Sequence, residues 1–213
     1  MEKTTLKYKK LFESVSIGKL RIANRFVMPP MVTDYGDNSG FVTDRLVNYY
    51  QERAKYQVGL VIVEATCVAP GGRVQVNQLR IDDDKFLPGL SRLAEKIHQA
   101  GAKCFIQLHH GGRAANPKYN SGLQPVAPSP VARRDGTVPC ELTIGEIERI
   151  IEAFVQGAKK AKEAGFDGIE LHFAHNYLIQ QFLSPLTNKR RDKYGGDLIS
   201  RARIGVEITR QVR

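Results

Sequence analysis

The chain has 213 residues, of which 42% are hydrophobic and 25% are charged, and its formal net charge is +10. This composition is typical of a globular protein and excludes a disordered chain, and no apolar run reaches the roughly 18 residues of a membrane span. The charged stretch from Met1 to Gly18 lacks the apolar segment of a secretory signal, so a soluble, cytoplasmic protein is expected.

Neither the cysteines nor the basic residues indicate a metal or nucleic-acid site. Cys67, Cys104 and Cys140 are widely spaced and form no CxxC pair, which predicts reduced thiols without a disulfide or a bound metal. The segment from Lys189 to Arg213 holds eight Lys or Arg against three Asp or Glu. Since no aromatic side chains interleave with these charges as a stacking platform, solvated loops and helix faces are favoured over nucleic-acid binding.

The first part of the chain predicts a short hairpin followed by a strand, a helix and a strand. The hairpin is expected at about residues 11–25, and an apolar strand from Phe26 to Met28 is stopped by two prolines. Helical spacing of apolar residues predicts a helix from about 44 to 56. The continuous apolar run over residues 59–66 predicts a strand buried on both faces, which is typical of a parallel sheet.

The same alternation continues along the chain. Pro88 opens a helix that ends at Gly101, and residues 102–108 predict a third buried strand. The polar stretch 109–142 is longer than the usual loop between two secondary-structure elements, so we expect it to have a functional role or to contain short elements of its own.

A third helix–strand unit follows this stretch. A T-x-x-E capping box at Thr143 begins an amphipathic helix that ends at Gly165, and residues 168–171 predict the fourth strand. A last helix is expected from roughly 197 to 212.

Four strands that alternate with helices predict right-handed βα units, in either an open doubly wound sheet or a (β/α)8 barrel. The polar residues that could take part in catalysis or binding all lie at strand ends, which favours a barrel. The first turn lacks the GxGxxG motif that a dinucleotide-binding doubly wound sheet would have. A full barrel needs about 250 residues and eight strands. The sequence therefore predicts an α/β fold of the TIM (β/α)8 barrel type with only the first four βα units, a half barrel formed by residues 1–213.

Two histidines follow the fourth predicted strand. His172 ends this strand and His175 lies about one helical turn further, so both can face one point. Two neutral imidazole N–H groups suit an oxygen that gains negative charge, although one or both histidines can instead be structural. A zinc site is disfavoured because HxxH lacks a third ligand and the Glu of HExxH.

Tyr177 either anchors a short helix or acts as a general acid toward a carbon that has just received a hydride. Side chains supply no hydride, so this chemistry implies a cofactor. The amide of Gln107 offers a donor and an acceptor that match a flavin edge, or it faces water. Met31 and Val32 offer backbone groups, and Ala65 a small wall for a flat ring.

Four segments, taken together, resemble the Old Yellow Enzyme family of NAD(P)H:flavin oxidoreductases, and more narrowly the N-terminal barrel portion of its 2-enoate reductase and 2,4-dienoyl-CoA reductase branch. They are RFVMPPMVT, VIVEATCVAPGGR, FIQLHHGGR and GFDGIELHFAHNYLIQQFLSPLTNKRRDKYGGD. The resemblance implies a TIM barrel that carries FMN, is reduced by NAD(P)H and is reoxidised by an alkene conjugated to a carbonyl. Its implied partner is a small enone or enoate, with no nucleic acid and no membrane.

The resemblance also assigns residues. His172 and His175 match the pair that grips the electron-withdrawing group of the substrate, and Tyr177 matches the proton donor. The residues implied to lie against the flavin are Pro30, Met31, Val32, Thr33, Ala65 and, at the pyrimidine edge, Gln107.

Some positions depart from the family pattern. Phe173 replaces a small residue, which puts substrate size in question, and Asn176 stands where Gly is common. Ile199 and Ser200 replace Glu and Asn in the family's usual GGSLENR run, which puts the hydrogen bonds of that loop in question.

The resemblance places further parts of the site beyond Arg213. The loops that hold the cofactor phosphate and a flavin-contacting arginine belong to later strands, and an iron–sulfur cluster is implied only for a longer parent chain. Uncovered strand edges predict a homo-oligomer or pairing with a missing C-terminal half. The alternatives are a non-catalytic half barrel or assembly module without bound flavin, and an RNA-modifying flavin barrel similar to dihydrouridine synthases, which use a cysteine acid.

Overall fold

A computed structural model describes residues 7–213, and a parallel four-stranded sheet lies at its centre. The first residues of the charged N-terminal stretch, for which no secretory signal is expected, lie outside the described residues. The sheet consists of strands β3 (Val27–Met28), β4 (Leu60–Cys67), β5 (Lys103–His109) and β8 (Gly168–Leu171), in the order β3-β4-β5-β8. Every neighbouring pair is parallel, so the carboxyl ends of all four strands lie at one edge.

Six helices accompany the sheet in the described residues. In chain order, α1 to α6 are Lys9–Phe12, Asp44–Ala54, Leu87–Gln99, Ile144–Glu163, Leu178–Leu183 and Leu198–Gln211. An antiparallel hairpin of β1 (Val15–Ile17) and β2 (Leu20–Ile22) precedes the sheet. The helices and sheet strands expected from the sequence begin and end within two residues of these bounds. The short helix α5 is the one that Tyr177 was considered to anchor, and α1 was not predicted from the sequence.

Local sequence explains why α4 forms where it does. The Thr143 hydroxyl accepts from the backbone N–H of Glu146 at 3.3 Å, and the Glu146 carboxylate accepts from the backbone N–H of Thr143 at 2.8 Å. This capping box satisfies amide groups that a helix start leaves unpaired. Ile147, Ile151 and Phe154 then form a buried stripe in the same apolar cluster as the strand residues of the sheet.

The long connection after β5 contains small elements of its own. Two 3₁₀ turns at Gly112–Ala114 and Pro117–Tyr119 are followed by a parallel pair of two-residue strands, β6 (Val126–Ala127) and β7 (Cys140–Glu141). These turns hold the chain beside the carboxyl ends of β4 and β5, where Asn116 and Asn120 bond the backbone of Arg73.

The interior of the sheet is apolar, as the unbroken hydrophobic runs predict. All eight residues of β4 are buried, and the described residues form one large apolar cluster that includes the buried faces of α2, α3, α4 and α6. Within residues 7–213, no helix has the length and apolar character required to cross a bilayer.

Candidate active site

A cleft of about 490 Å³ lies at the edge of the sheet where the four strands end. Segments that follow β3, β4, β5 and β8 all contribute to its walls, because parallel strands deliver their carboxyl ends to one edge. The lining residues are Pro29, Pro30, Met31, Val32, Ala65, Val74, Gln75, Gln78, Gln107, His109, Glu170, Leu171, His172, Phe173, Ala174, His175 and Tyr177.

One wall of the cleft is apolar and open. Met31 is 61% exposed and Val32 is 42% exposed, although both have large apolar side chains. Pro30 and the small side chain of Ala65 complete this wall. Uncovered apolar side chains inside a concave site are typical of a surface that a flat hydrophobic ligand covers.

A buried carboxylate holds this wall in place. Glu64 Oε2 accepts from the backbone N–H of Thr33 at 3.0 Å, from the Thr33 hydroxyl at 2.6 Å and from the Tyr50 hydroxyl at 3.3 Å. Burial raises the pKa of Glu64, and the hydrogen bonds from Thr33 and Tyr50 partly oppose that increase. Thr33 is therefore turned toward Glu64 and is not among the lining residues, and its contact with a flavin stays a prediction.

The polar edge of the cleft is built by Gln107 and Glu170. These residues are directly opposite each other in the pairing of β5 with β8, and Gln107 Nε2 donates to Glu170 Oε1 at 2.7 Å. That bond uses one amide N–H and leaves the second N–H and the carbonyl oxygen for a ligand. The carboxylate thus orients the amide; the sequence analysis did not identify Glu170.

His172 and His175 lie side by side, with His172 Nε2 and His175 Nδ1 3.3 Å apart. The backbone N–H of Ala174 donates to His172 Nδ1 at 3.3 Å, which assigns the His172 proton to Nε2. Burial, and then the nearby His175, lower the pKa of His172 to about 4. The pair is therefore joined by one hydrogen bond, and His175 Nε2–H is the donor that remains free in this arrangement.

The backbone after His172 adopts an unusual conformation. His175 has φ 54° and Asn176 has φ 59°, both in the left-handed region. Asn tolerates this region better than most residues and Gly tolerates it best, which explains the small or polar residue before Tyr177. Strained backbone is common at functional clefts, where it orients a side chain. In this chain the strained backbone orients the imidazole of His175, which lines the cleft.

Tyr177 occupies the N-cap position of α5 without a capping hydrogen bond from its side chain, and its ring packs among the imidazoles. Its ring centroid lies 4.4 Å from that of His109 and 4.9 Å from that of His172, with nearly perpendicular planes in both cases. These edge-to-face contacts fix the plane of the phenol. The three residues predicted to act on the substrate, His172, His175 and Tyr177, are thus brought to one cleft.

His109, at the end of β5, also lines the cleft, although no specific role was predicted for it from the sequence. Gln78 Nε2 donates to the Ala65 carbonyl at 3.1 Å and to His109 Nδ1 at 2.9 Å, while Gln78 Oε1 accepts from the Val74 N–H. The proton of His109 is therefore on Nε2, a buried atom without a hydrogen-bond partner within residues 7–213. Burial, and then His172 and His110, lower the pKa of His109, so its imidazole is neutral.

The lining residues suit a neutral aromatic ring and not a phosphate. Among the described residues that line the cleft there is no Lys or Arg, and the one acidic side chain, Glu170, is bonded to Gln107. An apolar wall with an amide edge fits an isoalloxazine ring, while a phosphate requires positive charge or helix N-termini. The cleft therefore accounts for the ring portion of a flavin nucleotide.

Comparison with known proteins identifies the family. The model of the NADH:flavin oxidoreductase / NADH oxidase family matches residues 10–213. An NADH oxidase of Thermoanaerobacter brockii is 53% identical over 205 residues, which is 95% of this chain and 32% of that protein. An NADPH dehydrogenase of Clostridium acetobutylicum is 45% identical over 206 residues, 96% of this chain and 60% of that protein.

The fold is similar to that of solved structures of the same kind. Old Yellow Enzyme from Pichia sp. AKU4542 superimposes with a TM-score of 0.91 at 35% identity, over 95% of this chain and 56% of that chain. The described chain thus spans between about a third and three fifths of the length of these three proteins.

The protonation of His172 provides a test of the site geometry. We expect its imidazole to titrate with a midpoint near 4, because burial and His175 lower its pKa to about 4. Histidine-selective NMR from about pH 2.5 to pH 8 measures this midpoint, and the His172→Gln variant assigns the signal. A midpoint near 6.5, the ordinary value for histidine, would contradict the buried, bonded position.

Proposed function

Because the chain belongs to the NADH:flavin oxidoreductase / NADH oxidase family, we propose that it works as an FMN-dependent NAD(P)H oxidoreductase that reduces the C=C bond of an α,β-unsaturated carbonyl compound or enoate. The observation that carries this proposal is the common cleft of His172, His175 and Tyr177 with the apolar wall at Met31 and Val32. The histidine pair can bind the carbonyl oxygen of an activated alkene, and Tyr177 can donate a proton to its carbon. The apolar wall can hold the flat cofactor that donates the hydride.

The residues present would hold the ring of FMN as follows. Pro30, Met31, Val32 and Ala65 provide the wall against which the ring packs, and Gln107, oriented by Glu170, bonds its pyrimidine edge. When bound, FMN carries the hydride from NAD(P)H to the alkene, which side chains cannot do.

The histidine pair would bind the carbonyl or carboxylate oxygen of the substrate. His175 Nε2–H is free, and His172 Nε2–H is engaged only in a 3.3 Å bond to His175, which a ligand oxygen can replace. The low pKa of His172 keeps this imidazole neutral, so it acts as a hydrogen-bond donor and not as an acid. Donors that are already aimed at the oxygen stabilise the negative charge that develops on it.

Tyr177 would supply the proton. Its phenol is held by His109 and His172 on two sides, with ring centroids 4.4 and 4.9 Å away. A positioned hydroxyl donates to the carbon that becomes nucleophilic when the neighbouring carbon accepts the hydride. The neutral, buried imidazole of His109 helps to hold this orientation through its edge-to-face contact with the phenol ring.

Phe173 would limit the size of the substrate. It lines the cleft, and its ring lies against Gly205 of α6, where an added Cβ would be 3.2 Å from Phe173 Cε2. The small Gly205 gives the ring room behind the cleft, so the aromatic side chain narrows the site without filling it.

We also propose that the four-stranded sheet is half of a TIM barrel. The outer strands β3 and β8 have no further strand partner in the part of the chain that the structure describes, and the three relatives are longer than this chain. Unpaired edges favour a homo-oligomer or association with a C-terminal half, which would also supply the phosphate site.

Buried free thiols at Cys67 and Cys104 agree with a cytoplasmic protein.

A flavin-free assembly module is the second candidate. The lack of Lys and Arg among the described lining residues favours it, because the cleft itself does not bind a phosphate. The two functions differ in whether the cleft residues affect hydride transfer.

Replacement of Tyr177 by Phe tests the catalytic proposal. In the flavin-loaded protein we expect reduction by NAD(P)H to stay fast, while transfer to an enone slows by roughly two to four orders of magnitude because the general acid is lost. Stopped-flow absorbance separates the two half-reactions. Tyr56→Phe, at a tyrosine that is 79% exposed, is the matched control and should change neither.

The result that would contradict this role is an unchanged oxidative half-reaction in Tyr177→Phe. A protein with no flavin-dependent turnover, with or without Tyr177, would favour the assembly module.

The state of association tests the half-barrel proposal. We expect a dimer or larger assembly in light scattering at micromolar concentration, because an isolated half barrel leaves β3 and β8 unpaired. A stable, monodisperse particle of 23.8 kDa, the mass of one chain, would contradict it.

A further inference from the structure

Three side chains from separate segments meet at the end of the sheet opposite the cleft. His98 lies in the last turn of α3, Cys104 is the second residue of β5, and Asp167 directly precedes β8. His98 Nε2 is 2.7 Å from Asp167 Oδ2 and 3.4 Å from Cys104 Sγ. One nitrogen, one sulfur and one carboxylate oxygen all lie within 4.8 Å of one another.

We propose that this His98–Cys104–Asp167 cluster binds one Zn²⁺ ion, with water as a fourth ligand. Imidazole, thiolate and carboxylate are the three ligand types that zinc takes in proteins, most often in a tetrahedral arrangement. The site lies at the amino ends of β5 and β8 and is independent of the flavin proposal.

The separations are close to those of a tetrahedral site. Zinc bonds of about 2.3 Å to sulfur and about 2.0 Å to nitrogen place these two ligand atoms about 3.5 Å apart, and the structure has 3.4 Å. The nitrogen–oxygen separation of 2.7 Å has to widen by about 0.6 Å for an ideal tetrahedron. A small rotation of the half-exposed His98 side chain accomplishes that change.

The hydrogen-bonding pattern is the second argument for a cation. Both short contacts of His98 use the same nitrogen, Nε2. The imidazole therefore does not link Asp167 to Cys104 through its two different nitrogens, as it would in a catalytic triad. One N–H satisfies only one of the two neighbours, and Cys104 Sγ otherwise has the Ala94 carbonyl at 4.0 Å. A metal ion satisfies all three atoms at once and leaves His98 Nδ1–H free to bond water, as ligating histidines commonly do.

The surrounding charges orient the carboxylate. Asp167 Oδ2 accepts from the backbone N–H of Cys104 at 2.9 Å, and Asp167 Oδ1 pairs with Lys103 Nζ at 3.0 Å. Lys103 weakens cation binding by its charge, but it also fixes the carboxylate with Oδ2 directed at His98. Outer partners of this kind hold metal ligands in place.

Binding would release a proton from the thiol. Cysteine binds zinc as a thiolate, so the Cys104 thiol has to lose its proton on binding. Zinc replaces that proton, which leaves to solvent as the Zn–S bond forms. The ion would join α3, β5 and the turn before β8, and its role is therefore structural.

The test is the zinc content of untagged protein. Protein treated with a chelator is equilibrated with Zn²⁺, desalted and analysed for bound metal, alongside Cys104→Ser, His98→Gln and the control Cys140→Ser at an exposed thiol. We expect about one zinc per chain in the wild type and in the control, and at least a tenfold loss of affinity in the other two. Absence of bound zinc in the wild type, or equal binding by all four proteins, would overturn the proposal.

Thermal unfolding provides a second readout. Zinc at a hundredfold excess over its Kd should raise the Tm of the wild type and of Cys140→Ser by roughly 5 to 10 °C. His98→Gln should show no such increase. Because His98 is partly exposed, this variant keeps the test valid if the buried Cys104→Ser change prevents folding, and circular dichroism verifies the fold. An equal increase in His98→Gln would show that zinc binds elsewhere, contrary to the proposal.

Discussion

The parallel register of β5 with β8 is the constraint on which the candidate site depends. It sets Gln107 directly opposite Glu170 and places His172 just beyond the end of β8, beside His109 at the end of β5. The pairing of β4 with β5 shifts between Val63 and Thr66, where Ala65 lines the cleft and the buried Glu64 bonds Thr33. Because all four strands end at one edge, short segments far apart in the sequence form a single cleft.

Burial gives these polar groups their chemical character. Three imidazoles, those of His109, His110 and His172, are buried and have lowered pKa values, so they are neutral at pH 7 and act as hydrogen-bond donors and acceptors. Each accepts a hydrogen bond at Nδ1: from Gln78 for His109, from the backbone N–H of Gly112 for His110, and from the backbone N–H of Ala174 for His172. Such neutral, oriented donors suit an oxygen that gains charge during a reaction, and they need little rearrangement when it does.

Much of this arrangement was predictable from the sequence, for physical reasons. The buried strands are continuous apolar runs and the helices have apolar residues at helical spacing, so local patterns determine their bounds. His172, His175, Tyr177 and Gln107 were identified because they follow predicted strand ends. Glu64 and His109 also lie at predicted strand ends, but their roles were not predicted, because these depend on contacts with Thr33 and Gln78 in other segments. The His98–Cys104–Asp167 cluster was not identified, since no local spacing reveals a contact between three segments. The bond between the two histidines also emerged only from three-dimensional geometry.

The central claim is that the ends of these strands hold a flavin ring without help from its phosphate. Riboflavin, which has the ring but no phosphate, tests it most directly by titration of its fluorescence with the protein. The account predicts saturable quenching, weakened roughly tenfold in Gln107→Leu because two amide hydrogen bonds to the ring are lost, and unchanged in Glu95→Gln on the exposed side of α3. Failure of riboflavin to bind, or equal binding by wild type and Gln107→Leu, would contradict it.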